Sequence, residues 1–251
     1  MSNQNRKISL CLTTYNRVEE TLRSFQNILY DERISEIVIV DDHSSEEVYN
    51  RLESSIEILN GELLHETIEG KNPPQIRLRR NDKNLGVYKN KIRSVELATN
   101  SWCIVFDSDN IIDKSYIDKL YQYFIWDNNC IYSPDFAMPE FDYTQFAGKI
   151  VSKENVADFT KFKMFDCWIN TMNYFVNKNA FLRADQDEVI PDAADSMYIN
   201  YLLLKKGISI FTVPEMRYIH TVHQESNYVK KSYGDRDLLT QTLKAFRNGF
   251  I

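Results

Sequence analysis

Short apolar runs and longer stretches of helical spacing alternate along the first half of the chain. Residues 7–13 (KISLCLT), 36–40 (EIVIV), 76–80 (IRLRR) and 102–110 (WCIVFDSDN) have strand length, and the first, second and last end on polar groups. The last is apolar and continuous enough to predict a buried central strand. Between them, residues 18–30 put Leu22, Phe25 and Leu29 on one helical face. A second helix is predicted from Ser45, a cap followed by Glu46 and Glu47 in the first turn, to about Leu59. Gly61, Gly70, Pro73 and Pro74 mark residues 60–75 as an exposed connection, and after Asn84-Leu85-Gly86 residues 87–98 read as a further helix. Strands and helices alternating at this interval imply a mostly parallel sheet with helices on both faces.

The pattern loosens after the acidic turn. Asp113 is placed to cap a helix with an apolar stripe of Ile117, Leu120, Tyr121, Phe124 and Ile125. Residues 130–133 and 173–177 read as strands, 192–206 as a helix closed by Gly207, 208–213 as a strand and 238–246 as a closing helix. Residues 134–163 are irregular and aromatic-rich, an acceptor-side lid or, more simply, a covering loop. No repeat or flexible linker interrupts residues 1–251, so one domain with a C-terminal elaboration is expected.

Composition removes several function classes. A net charge of −6 gives no general case for nucleic-acid binding, so an anionic substrate needs local cations or a metal. No signal core or uninterrupted membrane-length apolar run is present, and a cytoplasmic, soluble chain is expected. Cys11, Cys103, Cys130 and Cys167 have neither zinc-ligand nor disulfide-frame spacing and read as buried thiols in a reducing compartment.

The candidate chemistry lies at strand ends, where open α/β sheets bind ligands. Asp107 and Asp109 share one side of an extended chain and can converge on a hard cation or a diphosphate–cation pair. Thr13, Thr14 and Tyr15 end the first strand with hydroxyls, backbone and an aromatic surface for a base. Asp42 ends the second and can accept the imide N–H of uracil, or else cap the following helix, as Asp41 or Ser44 also can.

The succession TTYNR, IVIVDDHSSEE and NDKNLGVYKNKIRSVELATNSWCIVFDSDN resembles the nucleotide-binding half of glycosyltransferase family 2. That resemblance implies an α/β GT-A (Rossmann-like) fold and a DxD motif. It also implies inverting transfer of a sugar from a UDP-sugar to a glycan or other hydroxyl acceptor, with Mn2+ or Mg2+. By position, residues 1–112 form the nucleotide-binding half and 113–251 the acceptor half. Thr13, Thr14, Tyr15, Arg17, Asp42, Asn84, Lys91, Asp107 and Ser108 then contact the nucleotide, with Lys91 near the pyrophosphate. Family sequences commonly read Ala-Arg-Asn where this chain reads Asn90-Lys91-Ile92.

Asp109, with Asp107, would ligate the metal, joined by His223 or, alternatively, His220, from a run similar to that of bacterial chondroitin and hyaluronan synthases. Asp195, with Asp192 in reserve, corresponds to the acceptor-site aspartate that deprotonates the hydroxyl; Ala194 stands where a glutamate is usual. Lys230, Lys231 and Arg236 would neutralise the departing diphosphate. Trp168 and Asp166 are candidate acceptor contacts, although Trp168 can equally be core. Two other readings remain: a sugar-nucleotidyltransferase, against which the glycine-free TTYNR speaks, and a catalytically silent nucleotide-sugar binder, suggested by Ala194 and Ile92.

Overall fold

A computed structural model describes residues 6–68, 70–123, 125–185, 195–221 and 236–249. Its strands are β1 (Ile8–Thr14), β2 (Ile34–Asp41), β3 (Gln75–Arg80), β4 (Trp102–Asp107), β5 (Cys130–Met138), β6 (Phe141–Asp142), β7 (Ile150–Val151), β8 (Tyr174–Asn177) and β9 (Ser209–Ile219). They form one sheet in the order β3-β2-β1-β4-β8-β5-β9-β7, with β6 beside β5. Neighbours from β3 to β4 are parallel, β8 runs against β4 and β5, and β5 and β9 are again parallel. The order reverses between β1 and β4, which makes their carboxyl ends the topological switch point where such sheets take ligands.

The helices are α1 (Glu19–Phe25), α2 (Glu46–Ile68), α3 (Val87–Glu96), α4 (Lys114–Tyr121), α5 (Val156–Phe159), α6 (Phe165–Ile169), α7 (Lys178–Phe181), α8 (Asp195–Lys205) and α9 (Arg236–Arg247). The mixed α/β sheet flanked by helices agrees with the expected fold class. No described helix is long and apolar enough to cross a membrane.

Several boundaries differ from the sequence pattern for identifiable reasons. Helix α2 runs through Gly61 to Ile68, because Leu52, Ile56 and Leu63 keep one buried face going. That burial outweighs the ~1 kcal/mol cost of a helical glycine. Asn60 also pins the helix to β3, its Nδ2 donating to the Ile76 carbonyl at 3.0 Å. Strands β5 and β9 run past Pro134 and Pro214 because they pair with each other, the register shifting between Pro134 and Phe136 to absorb the interruption.

Helix α4 has the expected Asp113 cap, which accepts from Ser115 N, but it stops at Tyr121. Ile125 is 71% exposed and leaves the predicted stripe; Phe124 lies outside the described residues. The aromatic stretch 134–163 is a covering layer and not a loose lid. Phe146 is fully buried and stacks on Trp168 at 4.5 Å. Cys167 is exposed, contrary to expectation, while the other three thiols are buried and free.

Candidate active site

The loops after β1 and β2 are stitched together before any ligand arrives. Thr14 Oγ1 donates to the Arg17 carbonyl at 3.0 Å, and Thr21 Oγ1 donates to the same carbonyl at 2.6 Å. Asn16 adopts a left-handed φ of 53°, which asparagine tolerates. Its backbone N–H donates to Ser44 Oγ at 2.7 Å and its Oδ1 accepts from Ser45 N at 3.0 Å. Asp41 closes the β2 turn by accepting from Ser44 N at 2.9 Å. Thr13 is partly buried, and Tyr15, at 50% exposure, offers its ring at the lip.

Asp42 is more engaged than its proposed role requires. Its Oδ1 accepts from Asn81 Nδ2 at 2.9 Å and Leu85 N at 2.8 Å, and its Oδ2 from Gly86 N at 2.9 Å. Asn84 Nδ2 donates to the Asp42 carbonyl at 3.0 Å. Burial pushes the Asp42 carboxyl above its ordinary value, against the pull of these donors. The residue therefore holds the 81–86 loop. Oδ2, with one donor recorded, retains acceptor capacity for a base.

At the end of β4, Asp107 faces Thr13 of β1 across the switch point. Lys91, from α3, lies 3.2 Å from Asp107 Oδ1 and 2.8 Å from Asp195 Oδ2 at the start of α8. Residues expected at opposite ends of a donor–acceptor axis thus share one ammonium. Burial alone would lower the Lys91 pKa; the two carboxylates outweigh it and raise it. Asp195 is 6% exposed, and burial pushes its carboxyl up while Lys91 pulls it down. Asp109 Oδ2 accepts from Arg17 Nη1 at 2.6 Å. Ser108, between the two carboxylates, is buried, with no partner for its Oγ among the described residues.

Asparagines that the sequence pattern did not single out position this cluster. Asn173 Oδ1 accepts from Asp107 N at 2.8 Å, and its Nδ2 lies 3.5 Å from Asp107 Oδ2. Asn170 Oδ1 accepts from Met197 N at 3.0 Å, in the first turn of α8. Asn110 Oδ1 accepts from Thr221 N at 3.1 Å, beside an antiparallel bridge between Ile111 and Ile219. The chain leaving β9 is thereby fastened alongside the acidic turn. The signal available was the clustering of asparagine next to strand ends.

His220 packs edge-on against Phe141 at 5.0 Å, and its buried Nδ1 has no partner among the described residues. His223, Asp192, Lys230 and Lys231 lie outside the described residues, as does the side chain of Arg236. Trp168 is no acceptor platform. It is 1% exposed, and its Nε1 donates to Thr212 Oγ1 at 3.1 Å inside the core. Asp166 is exposed on α6.

A strand-end acidic pair, a buried lysine–aspartate link and a stitched β1–β2 rim all lie within the span matched by a family model described as Glycosyl transferase family 2, residues 9–190, except Asp195. The chain belongs to glycosyl transferase family 2. No curated protein matches. Among solved structures, Staphylococcus aureus TarS is 16% identical over 87% of this family 2 chain and 37% of TarS, with a TM-score of 0.58. TarS 1–349 in complex with UDP-GlcNAc is 15% identical over 97% of this chain and 66% of that one, with a TM-score of 0.61. The mannosyltransferase PcManGT from Pyrobaculum calidifontis, in complex with GDP-Man and Mn2+, is 13% identical over 89% and 59% respectively, with a TM-score of 0.59. At these identities the likeness shows the GT-A fold, and the chain spans about a third to two thirds of those proteins.

Proposed function

We propose that the chain transfers a sugar from a UDP-sugar to a hydroxyl acceptor, with inversion, using a divalent cation. The observation carrying this reading is the joining of Asp107 and Asp195 through Lys91 at the β1–β4 switch point, with Asp109 alongside. Residues 1–112 supply the nucleotide side and 113–251 the acceptor side. The nucleotide lies across Thr13, Thr14, Tyr15, Asp42 and Asn84, its ring against Tyr15 and its diphosphate towards Arg17, Lys91 and Ser108.

The donor set suits a hard cation: the side chains of Asp107 and Asp109 are 32% and 19% exposed and already carry cationic partners. Among the described residues no three acidic, histidine or cysteine groups form a complete metal site. Asp109 and Asp107 would hold Mn2+ or Mg2+, with a further ligand at His223 or His220. A bound ion there supplies Lewis-acid stabilisation to a leaving diphosphate.

Asp195 takes the acceptor proton. Its burial keeps the carboxyl raised, which strengthens it as a base, and Lys91 orients the Oδ2 edge. Attack on the face opposite the diphosphate then inverts the anomeric carbon. Free thiols suit a reducing compartment, and we place the reaction in the cytoplasm.

A screen of UDP- and GDP-sugars for nucleotide release, with Mn2+ and with chelator, tests the reading. UDP release that requires the ion is expected, and Asp195→Asn should bind UDP normally yet lose transfer. UDP binding without turnover of any donor, across a panel of glycan acceptors, would instead mark a silent binding module.

A further inference from the structure

We infer that Arg17 is the resident counter-ion of Asp109, displaced by the arriving divalent cation and passed to the donor diphosphate; this rests on Asp109 being a metal ligand, as proposed above. The guanidinium holds Oδ2 of Asp109, the carboxylate that would ligate the cation, at 2.6 Å. A guanidinium and a divalent ion on one carboxylate repel each other and compete for its charge, so binding of one weakens binding of the other.

The backbone of Arg17 is tied down independently of its side chain. Thr14 and Thr21 both donate to its carbonyl, which anchors the residue at the β1 rim. The side chain is 25% exposed, and Nη1 makes its one recorded hydrogen bond among the described residues. A rotamer change therefore moves the charge without moving the loop. The planar fork suits phosphate as well as carboxylate, so the released group has an anionic destination once a nucleotide diphosphate lies on the rim. Lys91 is placed differently: it is 2% exposed and shared between two carboxylates, and it stays. The rim thus combines one fixed cation with one exchangeable cation.

Mn2+ binding, followed by loss of the free-ion electron paramagnetic resonance signal, tests the exchange without turnover. Without nucleotide, Arg17→Gln should bind Mn2+ about tenfold more tightly than wild type, the scale of one charge-assisted hydrogen bond removed from the competition. Arg17→Lys should gain less, in the same direction. Added UDP should close or reverse the gap, because Arg17 then contributes to the nucleotide complex.

Arg80→Gln removes a cation at the end of β3, on the same rim but paired with Glu46 at 2.6 Å, and should leave Mn2+ affinity unchanged. Equal affinity in wild type and Arg17→Gln, or an equal gain in Arg80→Gln, would overturn the exchange while leaving the metal site standing. If neither wild type nor Arg17→Gln binds Mn2+, even with UDP, the metal reading falls and the exchange with it.

Discussion

The two ends of the parallel strands both carry buried charge, and they use it differently. At the amino ends, Glu36 is 3% exposed and saturated. Its Oε1 accepts from Ser9 Oγ at 2.5 Å, Thr99 N at 2.5 Å and Thr99 Oγ1 at 2.8 Å, and its Oε2 from Arg77 at 2.5 Å. Asn100 continues the network to Ser9 and Ser35 at 2.9 and 2.8 Å. Only Arg77 Nε is left over there among the described residues.

At the carboxyl ends, Ser108 Oγ, Tyr174 OH and His220 Nδ1 have no partner among the described residues, and Asp107 and Asp195 share one ammonium. A saturated network ties strands together and resists change. An unsaturated one, as this end is among the described residues, would leave donors and acceptors for the nucleotide proposed above, at a cost in stability that the saturated end helps to offset.

The largest expected contrast comes from removing one charge at each end. Asp109→Asn should reduce transfer by about a thousandfold or more, with a melting temperature close to wild type. Glu36→Gln should do the reverse. Breaking a buried ion pair with four further donors, Asn100 N at 3.3 Å being the fourth, costs ~3 kcal/mol, roughly a 6–12 °C fall in melting temperature for a chain of this size. The folded fraction should turn over normally. Melting curves and initial rates on both variants check the contrast, and a catalytic defect in Glu36→Gln would dissolve it.

Acid separates the ends more gently. Burial alone would push the Glu36 carboxyl up; hydrogen bonds from Ser9, Thr99 and Arg77 outweigh it and hold it below the ordinary value. A depressed carboxyl contributes stability that is complete above the unfolded value, about 4.3, and is lost as pH falls through the folded value. Asp195 has the opposite sign: its carboxyl is raised, so ionising it in the fold is a cost that protonation relieves. Lowering the pH below about 4 should therefore destabilise wild type more than Glu36→Gln. Parallel slopes in denaturant titrations would remove Glu36 from the account.

Much of the nucleotide side could be read from the chain because its information is local. The β1, β2 and β4 runs end on Thr14, Asp41 and Asp107, and each polar terminus follows directly from the apolar pattern before it. The acidic pair and the Asp113 cap were legible for the same reason. What remained hidden depends on distance in sequence. Lys91 and Asp195 meet across 104 positions, and no periodicity announces it. The strands read over 130–133 and 208–213 stop short of Pro134 and Pro214, and the β5–β9 pairing carries them past the bulge with partners on both sides. Trp168 offered a ring and an N–H that suit either a sugar or a core; Thr212 and Phe146 decide for the core.

Asn173 gives the finest division between the two ends, because it sits at the unsaturated end but acts as a tie. It is 3% exposed, accepts from Asp107 N at 2.8 Å through Oδ1, and its carbonyl accepts from Tyr116 OH at 3.0 Å. Asn173→Ala keeps the backbone contact to Tyr116 and removes the amide from Asp107. The loss of one buried hydrogen bond is worth ~1 kcal/mol, so stability should fall by about that much and kcat by roughly fivefold to tenfold, with KM for the donor little changed. Asn173→Asp is close to isosteric but puts a second carboxylate beside Asp107, and repulsion should displace that side chain further than simple removal does. Its kcat should therefore be lower than that of Asn173→Ala. If the two variants lose stability alike and neither loses rate, Asn173 belongs with Glu36 as a strand tie. A rate loss larger in the aspartate than in the alanine would show that the orientation of Asp107, and not packing alone, depends on it.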